Sequence, residues 1–99
     1  MALTSKQRAY LRGLAQRIDP IFHIGKSGIT PEITEAVAAA LEARELIKLS
    51  VLNNCDMATA DAAEMLGGRT RSEVVQVIGK KFVLFRVSKT KPTIEVPKA

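Results

Sequence analysis

The 99-residue chain has one cysteine, one histidine, no tryptophan and only four aromatic residues. Each scarcity excludes something. A lone cysteine, Cys55, cannot close an internal disulfide, which suits a reducing compartment. One cysteine and one histidine cannot supply a closed set of soft metal ligands. No apolar run approaches the ~20 residues that span a bilayer. The start, Met-Ala-Leu-Thr-Ser-Lys-Gln, has no apolar signal core, so a cytoplasmic protein with no membrane partner is expected. Phe82 and Phe85 differ in strand parity, so they cannot form one stacking platform. Catalysis is also poorly provided for. Asp19, His23 and Ser27 lie close together in sequence with no nucleophile-elbow pattern, and His23 reads as an ordinary strand residue. No acid, base and nucleophile constellation remains, so no enzyme, cofactor or small-molecule substrate is expected.

Positive charge is abundant, with a net +5 and a pI near 9.7, and it is unevenly placed. Residues 1–31 carry five bases and one acid, and residues 74–99 carry six bases and one acid. The middle is acidic: residues 32–45 carry one base and four acids, and residues 46–73 three bases and four acids. Ends folded against one another would make a basic face that steers a polyanion to one side.

One domain fits this length. Thr4-Ser5-Lys6-Gln7 has the form of a capping box. Leu11, Leu14, Ala15 and Ile18 then recur at helical spacing, to an end near Arg17 ahead of Asp19-Pro20. Ile21–Ile24 reads as a strand. Thr30 and Pro31 suit the cap and first position of a second helix, with Ile33, Ala36, Val37, Ala40 and Leu41 inward and Glu35 and Glu42 on a solvated acidic face. Leu46–Leu52 alternates as a strand. A third helix is expected over about Thr59–Leu66, stopped by Gly67-Gly68. Val74–Ile78 and Phe82–Arg86 form a hairpin about Gly79-Lys80-Lys81. From Ser88 onward, prolines and lysines leave little to bury, so residues 88–99 read as a flexible basic tail after a domain over 1–87. The expected fold is a two-layer α/β domain, α-β-α-β-α-β-β, with one mixed four-stranded sheet.

Three places could meet a polyanion. The first is Gly25-Lys26-Ser27-Gly28, followed by Thr30 at a helix start. Its glycines remove the Cβ atoms that would hold a ligand off, and its tip offers an ammonium and a hydroxyl. KH domains clamp a nucleic-acid backbone with a GXXG loop in such a place. The competing reading is a plain strand-to-helix turn. A nucleotide-binding P-loop is excluded, because Pro20 stands where its first glycine must be. The second place is Arg8 and Arg12, one helical turn apart with no acid one turn from Arg12 to relieve their repulsion, flanked by Lys6 and Arg17. The third is the last hairpin, with Lys80, Lys81 and Arg86. Its lysines could equally deter strand-to-strand aggregation.

These blocks in order resemble a known family. Leu3-Thr4 with the basic helix, Pro20–Thr30 around Phe-His-Ile-Gly-Lys-Ser-Gly, Ala43–Lys48, Val75–Gly79 and Leu84-Phe85-Arg86 are similar to the CRM domain, and more narrowly to bacterial single-domain YhbY-type proteins. The resemblance covers roughly residues 3–87. It implies a fold similar to the C-terminal domain of bacterial translation initiation factor three. It also implies RNA binding and association with precursors of the large ribosomal subunit; plant organelle members act in group II intron splicing. The family's GxxG loop falls on Gly25, Lys26, Ser27 and Gly28, and its basic helix on Lys6, Arg8, Arg12 and Arg17. Between Asn54 and Glu73 this chain is alanine- and glycine-rich where the family has more charge. A monomeric RNA-binding protein of large-subunit assembly is the leading expectation. A DNA-binding protein, or a module docking a basic ribosomal protein on Glu35 and Glu42, are the alternatives.

Overall fold

The computed structural model describes residues 3–98; residues 1 and 2 of the expected domain and residue 99 of the expected tail lie outside the described residues. Seven elements follow one another: α1 (Ser5–Ala15), β1 (Pro20–Ile24), α2 (Pro31–Arg44), β2 (Leu46–Val51), α3 (Thr59–Thr70), β3 (Glu73–Ile78) and β4 (Lys81–Phe85). The strands form one sheet in the order β1-β2-β4-β3. β1 and β2 pair in parallel, while β4 runs antiparallel to both β2 and β3.

Local chemistry sets most boundaries. The Thr4 hydroxyl oxygen accepts from the Gln7 amide at 3.2 Å and the Gln7 side chain accepts from the Thr4 amide at 3.0 Å, the reciprocal pair expected of a capping box. Thr30 caps α2 by accepting from the Ile33 amide at 3.1 Å, with Pro31 at the first position. Gly79 takes φ +58 in the β3–β4 turn, where a side chain would be strained.

The third helix departs from expectation. It does not stop at Gly67-Gly68 but runs to Thr70, and Arg71 ends it at φ 57. Gly67 is there for packing. A Cβ on it would lie 3.3 Å from Val74 Cγ2 and 3.4 Å from the Ser72 carbonyl oxygen. The helix crosses so close to β3 that only glycine fits without a shift.

The class, the element order and the mixed four-stranded sheet are as expected, and the layering is richer than two. On one face Ile47, Leu49, Val51, Phe82 and Leu84 pack with Val37 and Leu41 of α2 and with Ala62, Ala63 and Leu66 of α3. On the other, Leu46, Val75, Val83 and Phe85 pack under Leu11 and Ala15 of α1. Phe82 and Phe85 do point to opposite faces, and both are buried.

The end of the chain is a second departure. Residues 88–97 are docked, not free. Ile94 and Val96 pack beside α1, and Gln7 Nε2 donates to the Pro97 carbonyl at 2.9 Å. Two carboxylates from the end of α2 hold the rest. Glu45 is buried at 1% exposure and accepts the amides of Ser88, Thr93 and Ile94 at 2.8, 2.6 and 2.8 Å, together with the Thr93 hydroxyl at 3.0 Å. Glu42 accepts the hydroxyls of Ser88 and Thr90 and the Lys89 and Thr90 amides. The composition of this segment hid that behaviour, because the groups that bury it lie some 45 residues earlier.

Candidate nucleic-acid interface

The glycine loop connects β1 to α2. The Gly28 amide donates to the Gly25 carbonyl at 3.0 Å, which closes a tight turn with Lys26 and Ser27 at its exposed tip. Gly28 sits at φ +67, a conformation that favours glycine. Gly25 has no such backbone requirement. A Cβ there would make only ordinary contact, 3.7 Å from both Asn54 Oδ1 and Leu52 Cδ1. The fold therefore accounts for one of the two glycines and leaves the other free for a close approach from outside.

The Thr30 hydroxyl oxygen is committed to capping α2, and Glu32 already complements the positive end of the helix dipole. The tip groups of the loop, more than the amides behind it, are thus what remains for an anion.

The sheet register gathers further cations at the same end. β1 and β2 both finish here, and the Leu52 amide donates to the Ile24 carbonyl at 2.8 Å. The Val51 amide donates to the Lys80 carbonyl at 2.7 Å, so the β3–β4 turn lies beside the end of β2. Lys80 and Lys81 are exposed there. Among the described residues, no ion pair or hydrogen bond engages the ammonium groups of Lys26, Lys80 or Lys81.

Arg69 joins them, and the sequence reading missed it. It lies in the last turn of α3, and its guanidinium donates to the Ile29 carbonyl at 3.4 Å, one residue beyond Gly28. Taking Gly67-Gly68 as a stop had placed Arg69 in a loop. A helix carried to Thr70 swings it towards the glycine turn.

Other expected members of the patch are placed differently. Arg8 is half-buried, and its guanidinium donates to the Val74 and Val75 carbonyls of edge strand β3. Those carbonyls, not an absent phosphate, answer the question of what relieves Arg8 beside Arg12. Lys6, Arg12 and Arg17 remain exposed on or after α1. Arg17 lies before the start of β1, a strand's length of roughly 13 Å from the loop.

Arg86 is withdrawn altogether. Its guanidinium donates to the Thr70 carbonyl at 2.9 Å and the Ala38 carbonyl at 3.0 Å, and it lies 3.6 Å from a Glu42 oxygen. It binds α2 to α3 from the end of β4. Glu42 likewise is not on a free acidic face: it faces Arg86 and the docked C-terminal segment, which leaves Glu35 exposed without it.

The two carboxyls titrate accordingly. Hydrogen bonds from the Ser88 hydroxyl and then the Lys89 amide, with smaller ones from Thr90, outweigh desolvation and lower Glu42 from 4.5 to about 2. Burial pushes Glu45 upward, but the amides of Ile94, Ser88 and Thr93 overcome it and leave the group below its usual value. No group of three or more metal-binding side chains occurs among the described residues, and no helix there is long and apolar enough to cross a membrane.

Comparison with known proteins assigns the chain to a family. A family model, the CRS1/YhbY (CRM) domain, matches residues 3–86. The chain is 47% identical over 95 residues to a Bacillus subtilis protein named probable RNA-binding protein YqeI, covering 96% of this chain and 99% of that protein. It is 30% identical over 96 residues to an RNA-binding protein of Haemophilus influenzae, covering 97% and 96% of the two chains. A solved solution structure of a candidate RNA-binding protein from Staphylococcus aureus superposes with a TM-score of 0.81 at 50% identity, covering 97% of this chain and all of that one. On the match to nearly its whole length, the chain belongs to the CRS1/YhbY (CRM) domain family.

Proposed function

We propose that this protein binds RNA without catalysing a reaction, and that its partner is the precursor of the large-subunit ribosomal RNA during ribosome assembly in the cytoplasm. One observation carries the reading. The end of the sheet that bears Gly25-Lys26-Ser27-Gly28 also bears Lys80 and Lys81, and exposed Arg69 reaches the Ile29 carbonyl beside it, while Arg8, Glu42, Glu45 and Arg86 are held in internal contacts. A phosphate backbone would lie over the loop tip, close against the bare Gly25, with the hairpin lysines and Arg69 on adjacent phosphates. Lys6, Arg12 and Arg17 widen the field and contribute mainly to approach. The relatives' names support RNA over DNA. The protein acts as a monomer in this reading.

Affinity measured across a salt series tests it, with a large-subunit ribosomal RNA fragment and the variant Lys26→Asp/Ser27→Asp. Replacing one phosphate-contacting cation lowers the salt slope by about 1 and weakens binding uniformly across sequences. The variant should keep the wild-type circular dichroism, bind more weakly and show a shallower slope. A folded variant with unchanged affinity and slope would reduce the loop to a turn.

A further inference from the structure

The side of the sheet that carries α1 is covered only in part. α1 and the docked C-terminal segment lie over Leu46, Val75, Val83 and Phe85. At the end bearing the glycine loop, one row of side chains crosses all four strands on this side without a covering element. His23 of β1 is registered with Ser50 of β2, Ser50 with Lys81 of β4, and Lys81 with Ile78 of β3. At ~4.8 Å per strand step, the row is about 14 Å long.

Its chemistry is mixed in a way that a merely solvated surface would not need. His23 is exposed, yet its ring is fixed by a 2.5 Å hydrogen bond between Nδ1 and the Ser50 hydroxyl. That leaves Nε2 without a partner among the described residues. Ile78 is 58% exposed at the other end, a large apolar side chain with nothing over it. Lys81 lies between them, its ammonium without an ion pair or hydrogen bond among the described residues. Gly25 follows His23 by two residues, just beyond the end of β1.

We infer that this row is a docking ledge for unpaired RNA bases. Resting on the RNA-binding reading above, it specifies the form of RNA: single-stranded nucleotides whose backbone is held at the glycine loop and whose bases lie on His23 and Ile78. A fixed imidazole offers a flat face for stacking, Ile78 offers apolar contact, and Ser50 and Lys81 offer hydrogen bonds to base edges. Unpaired bases are what RNA-binding proteins stack on flat side chains; a duplex keeps its bases inside and presents only backbone and a shallow groove. The buried positions of Phe82 and Phe85 rule out an aromatic platform there, and the ledge needs neither.

The experiment is a set of anisotropy titrations at one fixed salt concentration, using a short single-stranded RNA and a duplex of the same length. The proteins are the wild type, His23→Ala, His23→Phe, Ile78→Ser and Lys26→Asp/Ser27→Asp. Stacking of one base is lost on truncation to alanine at a cost of about tenfold in affinity. His23→Ala should lose about that factor for the single strand and nothing for the duplex, and His23→Phe should recover it. Ile78→Ser should follow His23→Ala with a smaller loss. His23→Ala binding the single strand like the wild type, or losing both RNAs equally, would overturn the ledge. The loop variant separates the two readings. If it binds both RNAs normally while His23→Ala still loses the single strand, the loop grip fails and the ledge stands. If it loses both RNAs while His23→Ala loses neither, the grip stands and the ledge fails. If the wild type binds neither RNA, both fail. His23 and Ile78 are exposed, so circular dichroism should be unchanged in every variant.

Discussion

The two ends of the sheet use charge in opposite ways. At one end Lys26, Lys80 and Lys81 stand in solvent with no ion pair or hydrogen bond to their ammonium groups among the described residues. At the other, Glu42, Glu45 and Arg86 are bound to carbonyls, amides and one another across α2, α3, β4 and the C-terminal segment. Charges of the first kind are available to a ligand and cost the fold nothing when removed. Those of the second kind hold the fold and have nothing left to offer outside. Sequence composition treats both alike.

Glu45 should break the comparison most severely. It sits at φ 65 where glycine would be relaxed, and still it is a glutamate, because its carboxylate receives three amides and a hydroxyl of the C-terminal segment. Glu45→Ala removes that acceptor and keeps the strained backbone. Denaturant unfolding should show a loss of about 2–4 kcal/mol, since several donors are left without their acceptor. Hydrogen exchange at Thr93 and Ile94 should speed up. Glu45→Gly should recover about 1 kcal/mol of that loss by relieving the backbone. An equally stable Glu45→Ala would show that the segment contributes nothing to the fold.

Arg86 and Lys81 make the sharpest pair, because they stand at opposite ends of one strand. Arg86→Met should cost about 1.5–3 kcal/mol, the range for hydrogen bonds made by a charged donor, and should leave the salt slope of RNA binding alone. Lys81→Ala should change stability by no more than about 0.5 kcal/mol and lower the salt slope. The reverse pattern would put the interface at the wrong end of the sheet.

Acid should act on the held end. Glu42 and Glu45 bind protons more weakly folded than unfolded, so their contribution is complete above the unfolded value of 4.5. It disappears as pH falls through the folded value, about 2 for Glu42. Between those limits the amides of Lys89 and Thr90 should lose exchange protection. Glu42→Gln, which cannot ionise, should show a flatter pH dependence than the wild type in the same window.

What could be read in the sequence follows the range of the interactions concerned. Thr4 with Gln7, Thr30 with Pro31, and Gly79 in its turn are local devices, and each stands where its neighbours imply. The alternation of Phe82 and Phe85 told which faces they take. Partners distant in the chain were hidden. Gly67 looked like a helix stop because Val74, the neighbour that requires it, approaches only in the folded chain. Arg86 looked like a surface cation because the Thr70 and Ala38 carbonyls that hold it belong to other elements. For the proposed interface, the turn at Gly25–Gly28 was legible as a turn, whereas the placement of Arg69 and the His23–Ile78 row needed the helix length and the strand register.

The two glycines of the loop give the smallest effect and the finest discrimination. Gly28→Ala places a Cβ on a residue at φ +67 and should cost about 1 kcal/mol of stability for conformational reasons alone. Gly25→Ala meets only ordinary contacts with Leu52 and Asn54, so its stability should match the wild type within about 0.5 kcal/mol. If a phosphate backbone does lie against Gly25, the added methyl holds it off, and affinity should fall in a protein that is otherwise unchanged. That combination, full stability with weakened binding, is one that a plain turn cannot produce. Should Gly25→Ala bind RNA as the wild type does, the backbone makes no close approach at this point, and the contact reduces to the Lys26 ammonium and the hairpin lysines reaching out to a more distant phosphate.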